Sequence, residues 1–185
     1  MSFDFAIVIA DTKNALLNPA GYFRTMRSEG GLAEPVLKAL LYGVVSVLLT
    51  WLWYMLGIFP PGPQDNALST TMLLLLPAGY VVGLFIGAVL LMIVSALSGG
   101  ITRFETCLRA TAAIMAIQPI SAALGVLYVS TFLGLLASLA ISLYGLKLLW
   151  NAMLATLHCS RRGTQITCIV LAAFSILGAV AALIK

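Results

Sequence analysis

Charge is what this chain has least of. Only 9% of its 185 residues are Asp, Glu, Lys or Arg, while hydrophobic types make up 62%. Soluble domains carry about 25% charged and about 45–50% apolar residues. Folded in water, a chain of this length would leave much of its apolar surface exposed. Disordered chains are polar and charged, so the same figures exclude disorder. The class that remains is an integral membrane protein.

Other scarcities narrow the chemistry. The single histidine, His158, cannot build a zinc cluster. Cys107, Cys159 and Cys168 stand at no metal-ligand spacing, and an odd number argues against a full disulfide framework. They read as buried or membrane-facing free thiols. No acidic residue falls inside the runs that would cross a membrane, which removes the usual carboxylate relays and metal ligands. No nucleophile stands with a base and an orienting partner, and there is no phosphate loop or dinucleotide fingerprint. The basic residues flank apolar runs and support no nucleic-acid role. No enzyme activity, cofactor or metal is therefore expected. The N-terminus is no secretory signal: Lys13 is the first basic residue, and Asp4 and Asp11 interrupt any apolar region.

Long uncharged runs are what is there: Ala39–Gln64, Asn66–Thr102, Ala110–Leu146 and Gly163–Ile184. One crossing takes about 20 residues. The stretch 110–157 would make about 72 Å of helix at 1.5 Å per residue, enough for two crossings. The expected fold is all-α: a polytopic five-helix membrane bundle with spans near 36–58, 72–97, 106–128, 131–157 and 166–184. Residues 1–34 form an N-terminal segment and 35–185 the membrane domain. The turn between the third and fourth spans lies between Leu127 and Gly134. Phe59–Thr71, with Pro60, Pro61, Gly62 and Pro63, reads as a stiff connector. Thr102 with Glu105 fits a capping box that would start the third helix at Arg103.

Basic residues set the orientation. With the N-terminus inside, the inner segments carry Lys13, Arg24, Arg27, Lys38, Arg103, Arg109, Arg161 and Arg162, and the outer side only Lys185. The protein is expected in a cytoplasmic membrane, N-terminus in and C-terminus out. Trp51, Trp53 and Tyr54 fall near the outer end of the first span, where aromatic residues belong. In the N-terminal segment, Asp4, Asp11, Asn14 and Asn18 share one side of a possible helix, and Phe5, Ile9, Leu16 and Leu17 another. Ile7 and Val8 blur the pattern. Asn18-Pro19 then reads as an N-cap and first helical residue, with Gly30-Gly31 ending that helix. Arg24 and Arg27 would place this amphipathic region on an anionic leaflet. A plain basic flank that only sets topology is the alternative.

Two constellations lie inside the spans. Gly79, Gly83 and Gly87 recur every four residues, so they share a helix face that lets another backbone approach closely. Gly134, Ser138, Ser142 and Gly145 form a similar small face on the fourth span. Such faces serve packing within the bundle or a seam between two copies. The second constellation is Lys147, Asn151 and His158, within about 40° on a helical wheel. Lys147 lies eleven residues from His158, about 16 Å along a helix. Gln118 and Pro119 lie at similar depth, and a proline leaves a backbone carbonyl free. A buried polar centre of Lys147, Gln118 and that carbonyl is expected, the alternative being a lysine that reaches the headgroups.

Several strings, in this order, resemble the Yip family of Ypt/Rab-interacting membrane proteins, in its short bacterial branch. They are Leu17-Asn18-Pro19-Ala20-Gly21-Tyr22-Phe23, then Gly99-Gly100-x-x-x-Phe104-Glu105-x-x-Leu108-Arg109-Ala110, then Gln118-Pro119. Leu143-Tyr144-Gly145-Leu146-Lys147 and Ser160-Arg161-Arg162 complete the set. The resemblance implies five helices, a cytoplasmic N-terminus, a bacterial inner-membrane location and no known enzyme activity. Eukaryotic members bind prenylated Rab GTPases partly through a longer N-terminus, so Rab-type GTPase binding is not inferred. The function expected is a scaffold, assembly factor or partner-binding subunit, touching the lipid bilayer and a membrane-protein partner or a second copy. The alternative is a small transporter or channel built around Lys147. The topology is checked by reporter fusions: one after Lys185 is expected outside and one between Ser160 and Thr164 inside.

Overall fold

The structure, a computed structural model, describes residues 5–58 and 70–184. These residues are helical or in turns, with no strand among them. Two short helices come first, α1 (Phe5–Leu17) and α2 (Pro19–Thr25). Then come α3 (Ala33–Met55), α4 (Thr70–Leu97), α5 (Phe104–Ile114), α6 (Gln118–Ala123), α7 (Thr131–Asn151) and α8 (Arg161–Ile184). Five stretches are long and apolar enough to cross a membrane: Ala33–Met55, Leu75–Leu97, Phe104–Leu127, Phe132–Thr156 and Arg161–Ala179. The fold is an all-α polytopic bundle. The proline-rich connector at 59–69 lies outside the described residues, as do Asp4 and Lys185.

Local chemistry explains the breaks. Asn18 caps α2 through its side-chain oxygen, which accepts from the Gly21 N–H at 3.1 Å, and Pro19 follows. That helix stops at Thr25, well before Gly30-Gly31. The third span is composite. Pro19's counterpart there is Pro119, which has no N–H to give Met115. The Gln118 N–H bonds the Met115 carbonyl instead, in a 3₁₀ turn over Met115–Ile117 between α5 and α6. The chain reverses at Ser130, in extended backbone, inside the interval expected from sequence. A π-helical turn, Ala152–Thr156, ends the fourth span.

Three connections meet at one end of the bundle. The Ile101 N–H bonds the Leu157 carbonyl at 2.7 Å, and the Ser160 N–H bonds the Ser98 carbonyl at 3.0 Å. Thr156 and Thr106 donate to the carbonyls of Phe23 and Ser28, at 2.7 and 3.2 Å. All eight basic residues expected on one side flank this end, which we call the basic end. At the other end the Trp53 indole N–H bonds the Ala122 carbonyl at 2.9 Å. The core joins Phe23 of α2, Leu84 and Leu91 of α4, Leu108 of α5, and Leu148, Met153 and Leu157 around the end of α7. The exposed large apolar side chains of α4 and α8 are Leu, Ile, Val and Phe, as hydrocarbon requires.

The small-residue faces divide. A Cβ on Gly87 would lie 2.8 Å from Thr111 Cγ2, so that glycine serves the α4–α5 crossing. Gly79, Gly83 and Gly145 have nothing within 4 Å. The buried face of α4 runs instead through Leu84, Ala88, Leu91 and Ser95. Gly134, Ser138 and Ser142 line a groove of about 450 Å³ against Phe174, Ser175 and Gly178 of α8. Close backbone approach occurs at Gly43 and Gly100, which the four-residue spacing does not reveal. A Cβ at Gly43 would sit 3.0 Å from Pro77 Cα, and one at Gly100 would sit 2.8 Å from the Leu157 carbonyl and 2.5 Å from Cys159 Sγ. Gly100→Ala is expected to cost about 1–3 kcal/mol by overpacking. A melting curve in detergent measures it, with Gly145→Ala, which meets open space inside α7, as the control that is expected not to destabilise.

Candidate functional site

α3 and α5 both enter the bundle at the basic end, and each opens with an acid four residues before a base. These are Glu34 with Lys38 and Glu105 with Arg109. Folding brings the two pairs together and adds Asp11 from α1. Lys38 Nζ lies 2.8 Å from Asp11 Oδ2 and 2.8 Å from Glu34 Oε1. Arg109 Nη1 lies 2.8 Å from Glu34 Oε2, and its Nη2 donates to the Gly31 carbonyl at 3.1 Å. Glu105 Oε1 accepts from the Gly31 N–H at 2.6 Å and stands 3.5 Å from Arg109 Nε. Arg103 pairs with Glu29 outside this group. Every acid among the described residues takes part in these pairs.

The cations are the buried members. The side chains of Lys38 and Arg109 are 7% and 6% exposed, against 33% for Asp11 and 44% for Glu34. A buried cation is tolerated only when paired and hydrogen-bonded. The turn before α3 is shaped for this. Gly30 has φ +138° and Gly31 φ +88°, and a Cβ on Gly30 would lie 2.7 Å from the Arg109 guanidinium. Glycine alone fits both demands. Glu105 is thus engaged with Gly31 and Arg109, and the expected Thr102–Glu105 capping box does not form. The helix is instead capped at Arg103 without a side-chain bond.

The N-terminal helices dock into the bundle. Thr12 and Tyr42 share a hydroxyl–hydroxyl bond at 2.8 Å, and the Tyr144 hydroxyl bonds the Leu16 carbonyl. Val8, Ala15 and Phe23 are buried. Between these helices and the ion pairs lies a cavity of about 600 Å³. Asp11 and Asn14 of α1 and the α2 cap Asn18 line it, with Tyr22, Arg27, Glu34, Lys38 and Arg109. Burial raises the Tyr22 phenol above its usual value, so it is a neutral hydroxyl at pH 7. The polar side of α1 faces this chamber, and Ile9 and Leu17 point outward. The Asp11–Lys38 pair holds that polar side toward the bundle.

The residues expected around Lys147 are not brought together. Lys147 is exposed, with its ammonium 5.4 Å from the Tyr144 ring centroid, and Gln118 is exposed as well. The carbonyl that Pro119 would free is already bonded. Asn151 donates to the Lys147 carbonyl of its own helix at 2.7 Å. The π-helical turn after Asn151 shifts the wheel, so His158 leaves that face and sits exposed in a turn with φ +52°. Arg24, Arg161 and Arg162 are exposed at the basic end, and Arg27 borders the cavity. Asp11, Glu34, Lys38, Glu105 and Arg109 were missed as a site. Their signal was the repeated Glu-x-x-x-Lys/Arg at the mouths of two spans.

Lys38→Met leaves Asp11 and Glu34 without their shared cation. Both acids are partly exposed, so the expected loss is about 1–2 kcal/mol, below the cost of breaking a fully buried pair. Lys147→Met is expected within about 0.5 kcal/mol of the parent. Thermal unfolding in one detergent compares the two.

Neither the curated proteins nor the solved structures contain a match to this chain. A family model does match, described as the Yip1 domain, over residues 13–183. The matched region begins inside α1, takes in Lys38 and Arg109, and runs through all five spans. The chain belongs to the Yip1 domain family of membrane proteins.

Proposed function

We propose that the protein is a non-enzymatic membrane scaffold that works by self-association, with the Gly79–Gly83 face of α4 meeting the same face of a second copy. The observation that carries this reading is the open space beyond both glycines, where a Cβ would meet nothing within 4 Å. Each glycine costs about 0.8–1 kcal/mol against alanine inside a helix. Lipid returns nothing for that cost, whereas a second helix gains close van der Waals contact. Exposed Val82 and Ile86 flank the strip and supply ridges for such a crossing. A glycine face is self-complementary about a two-fold axis, so the contact closes as a dimer.

The orientation belongs to the same reading. Eight basic residues at one end support a cytoplasmic position for that end in a bacterial inner membrane, with the C-terminus outside. Arg24, Arg161 and Arg162 are then free to meet anionic lipid there.

Gly83→Leu separates folding from assembly. Its side chain enters open space, so the melting temperature in detergent is expected to stay near the parent's. A cysteine at Val82 in a cysteine-free background is expected to cross-link two copies in native membranes, and Gly83→Leu to abolish that product. Gly87→Leu, which strikes Thr111, is expected to destabilise the monomer itself. Retention of the cross-linked dimer in Gly83→Leu would overturn the reading.

A further inference from the structure

The cavity at the basic end carries a second, independent reading. We infer that it is a binding site for a phosphoethanolamine group, the headgroup of an amine-bearing phospholipid. Charge is the first ground. Asp11, Glu34 and Glu105 form one connected network with only Lys38 and Arg109, so three carboxylates face two cations. The acids are the partly exposed members, so the surplus carboxylate oxygen stays open to a further cation. The free acceptor is identifiable. Asp11 Oδ2 takes Lys38, and Oδ1 makes no hydrogen bond among the described residues. Asp11 also lines the cavity, with the Asn14 and Asn18 side chains beside it.

The other end of the ligand follows from Arg27. It lines the same cavity, is exposed, and has no ion pair among the described residues. Lys38 and Arg109 are poor anion sites, because their N–H groups already meet Glu34, Asp11 and the Gly31 carbonyl. One buried donor, Arg109 Nε, lacks a hydrogen bond and adds to the pull on an acceptor. A ligand with an ammonium for Asp11 and a phosphate for Arg27 matches both ends and, having no net charge itself, leaves the balance of three carboxylates against Lys38, Arg109 and Arg27 unchanged. A quaternary ammonium has no N–H to donate, and a glycerol headgroup has no cation.

Position is the third ground. Lys38 lies five residues into α3, about 7.5 Å from its start, and Arg109 five residues into α5. That is the depth of headgroups where these helices enter the bilayer. At this depth α1 turns its polar side to the cavity and Ile9 and Leu17 away from it. The cavity volume of about 600 Å³ lies within the range of small-ligand sites, about 300–1,000 Å³.

The test uses the full chain in nanodiscs of equal phosphatidylethanolamine, phosphatidylcholine and phosphatidylglycerol, followed by detergent extraction and mass spectrometry of the retained lipid. The phosphatidylethanolamine is expected to be enriched about tenfold over each of the others, the factor that about 1.4 kcal/mol supplies. Asp11→Asn and Arg27→Gln are each expected to bring the ratio near one. Arg27→Gln leaves the Lys38 and Arg109 pairs untouched, so it remains informative if Asp11→Asn does not fold. Water-soluble glycerophosphoethanolamine, added to delipidated protein, tells the source. A raised melting temperature shows that the free headgroup suffices, and no rise beside intact lipid enrichment shows that the acyl chains are needed. Both outcomes support the site. Equal retention of the three lipids, preference for phosphatidylglycerol, or full enrichment in both variants overturns it.

Discussion

Two cations lie at the entry to the membrane with almost no access to water, and both must be neutralised locally. Much of the basic end follows from that requirement. Lys38 alone draws in Asp11 and Glu34, which ties α1 to the first turn of α3. Arg109 reaches Glu34, Glu105 and the Gly31 carbonyl, which ties α5 to α3 and to the turn before it. Glu34 is shared, so the pairs form one unit. Removing either cation leaves carboxylates unmatched, at a cost that their partial exposure lowers.

That unit also explains the conformation of the N-terminal helices. α1 has an apolar side and a polar side, and at a water–lipid boundary the polar side would face water. Asp11, on the polar side, faces the bundle, because its partner Lys38 is there. The Tyr144 hydroxyl on the Leu16 carbonyl and Thr156 on the Phe23 carbonyl hold the same segment from the α7 side. A polar chamber results between helices that are otherwise apolar. Gly30 lets the connecting segment pass the Arg109 guanidinium at a distance that a side chain would not permit, and Gly31 supplies a second positive φ.

Away from this end the bilayer acts as solvent, and packing is thinner. α8 rests on α7 and exposes most of its length, with Ile166, Ile169 and Phe174 outward. Backbones approach most closely where a glycine meets a neighbouring turn, at Gly43 beside Pro77 and at Gly100 beside Leu157. The third span is held despite its proline because 3₁₀ geometry re-pairs the Met115 carbonyl. Trp53 pins that broken helix to α3 through the Ala122 carbonyl.

Composition and charge spacing alone determined the class, the number of spans and the interval that holds the turn at Ser130, because crossing hydrocarbon demands long uncharged helices and little else. The Asn18-Pro19 helix start was legible for a similar reason: it is a local hydrogen bond between neighbours in sequence. Contacts between distant segments were not legible. Lys147 looked like the buried charge because it stands alone in an apolar run, yet helix rotation leaves it outside. Lys38 and Arg109 looked like topology markers because they sit at the ends of runs, yet they are the buried pair. Whether a glycine faces a neighbour or open space, and whether a lysine faces carboxylates or lipid, depends on the rotation and crossing of helices. Those are set by packing between segments tens of residues apart, and only the tertiary structure decided them.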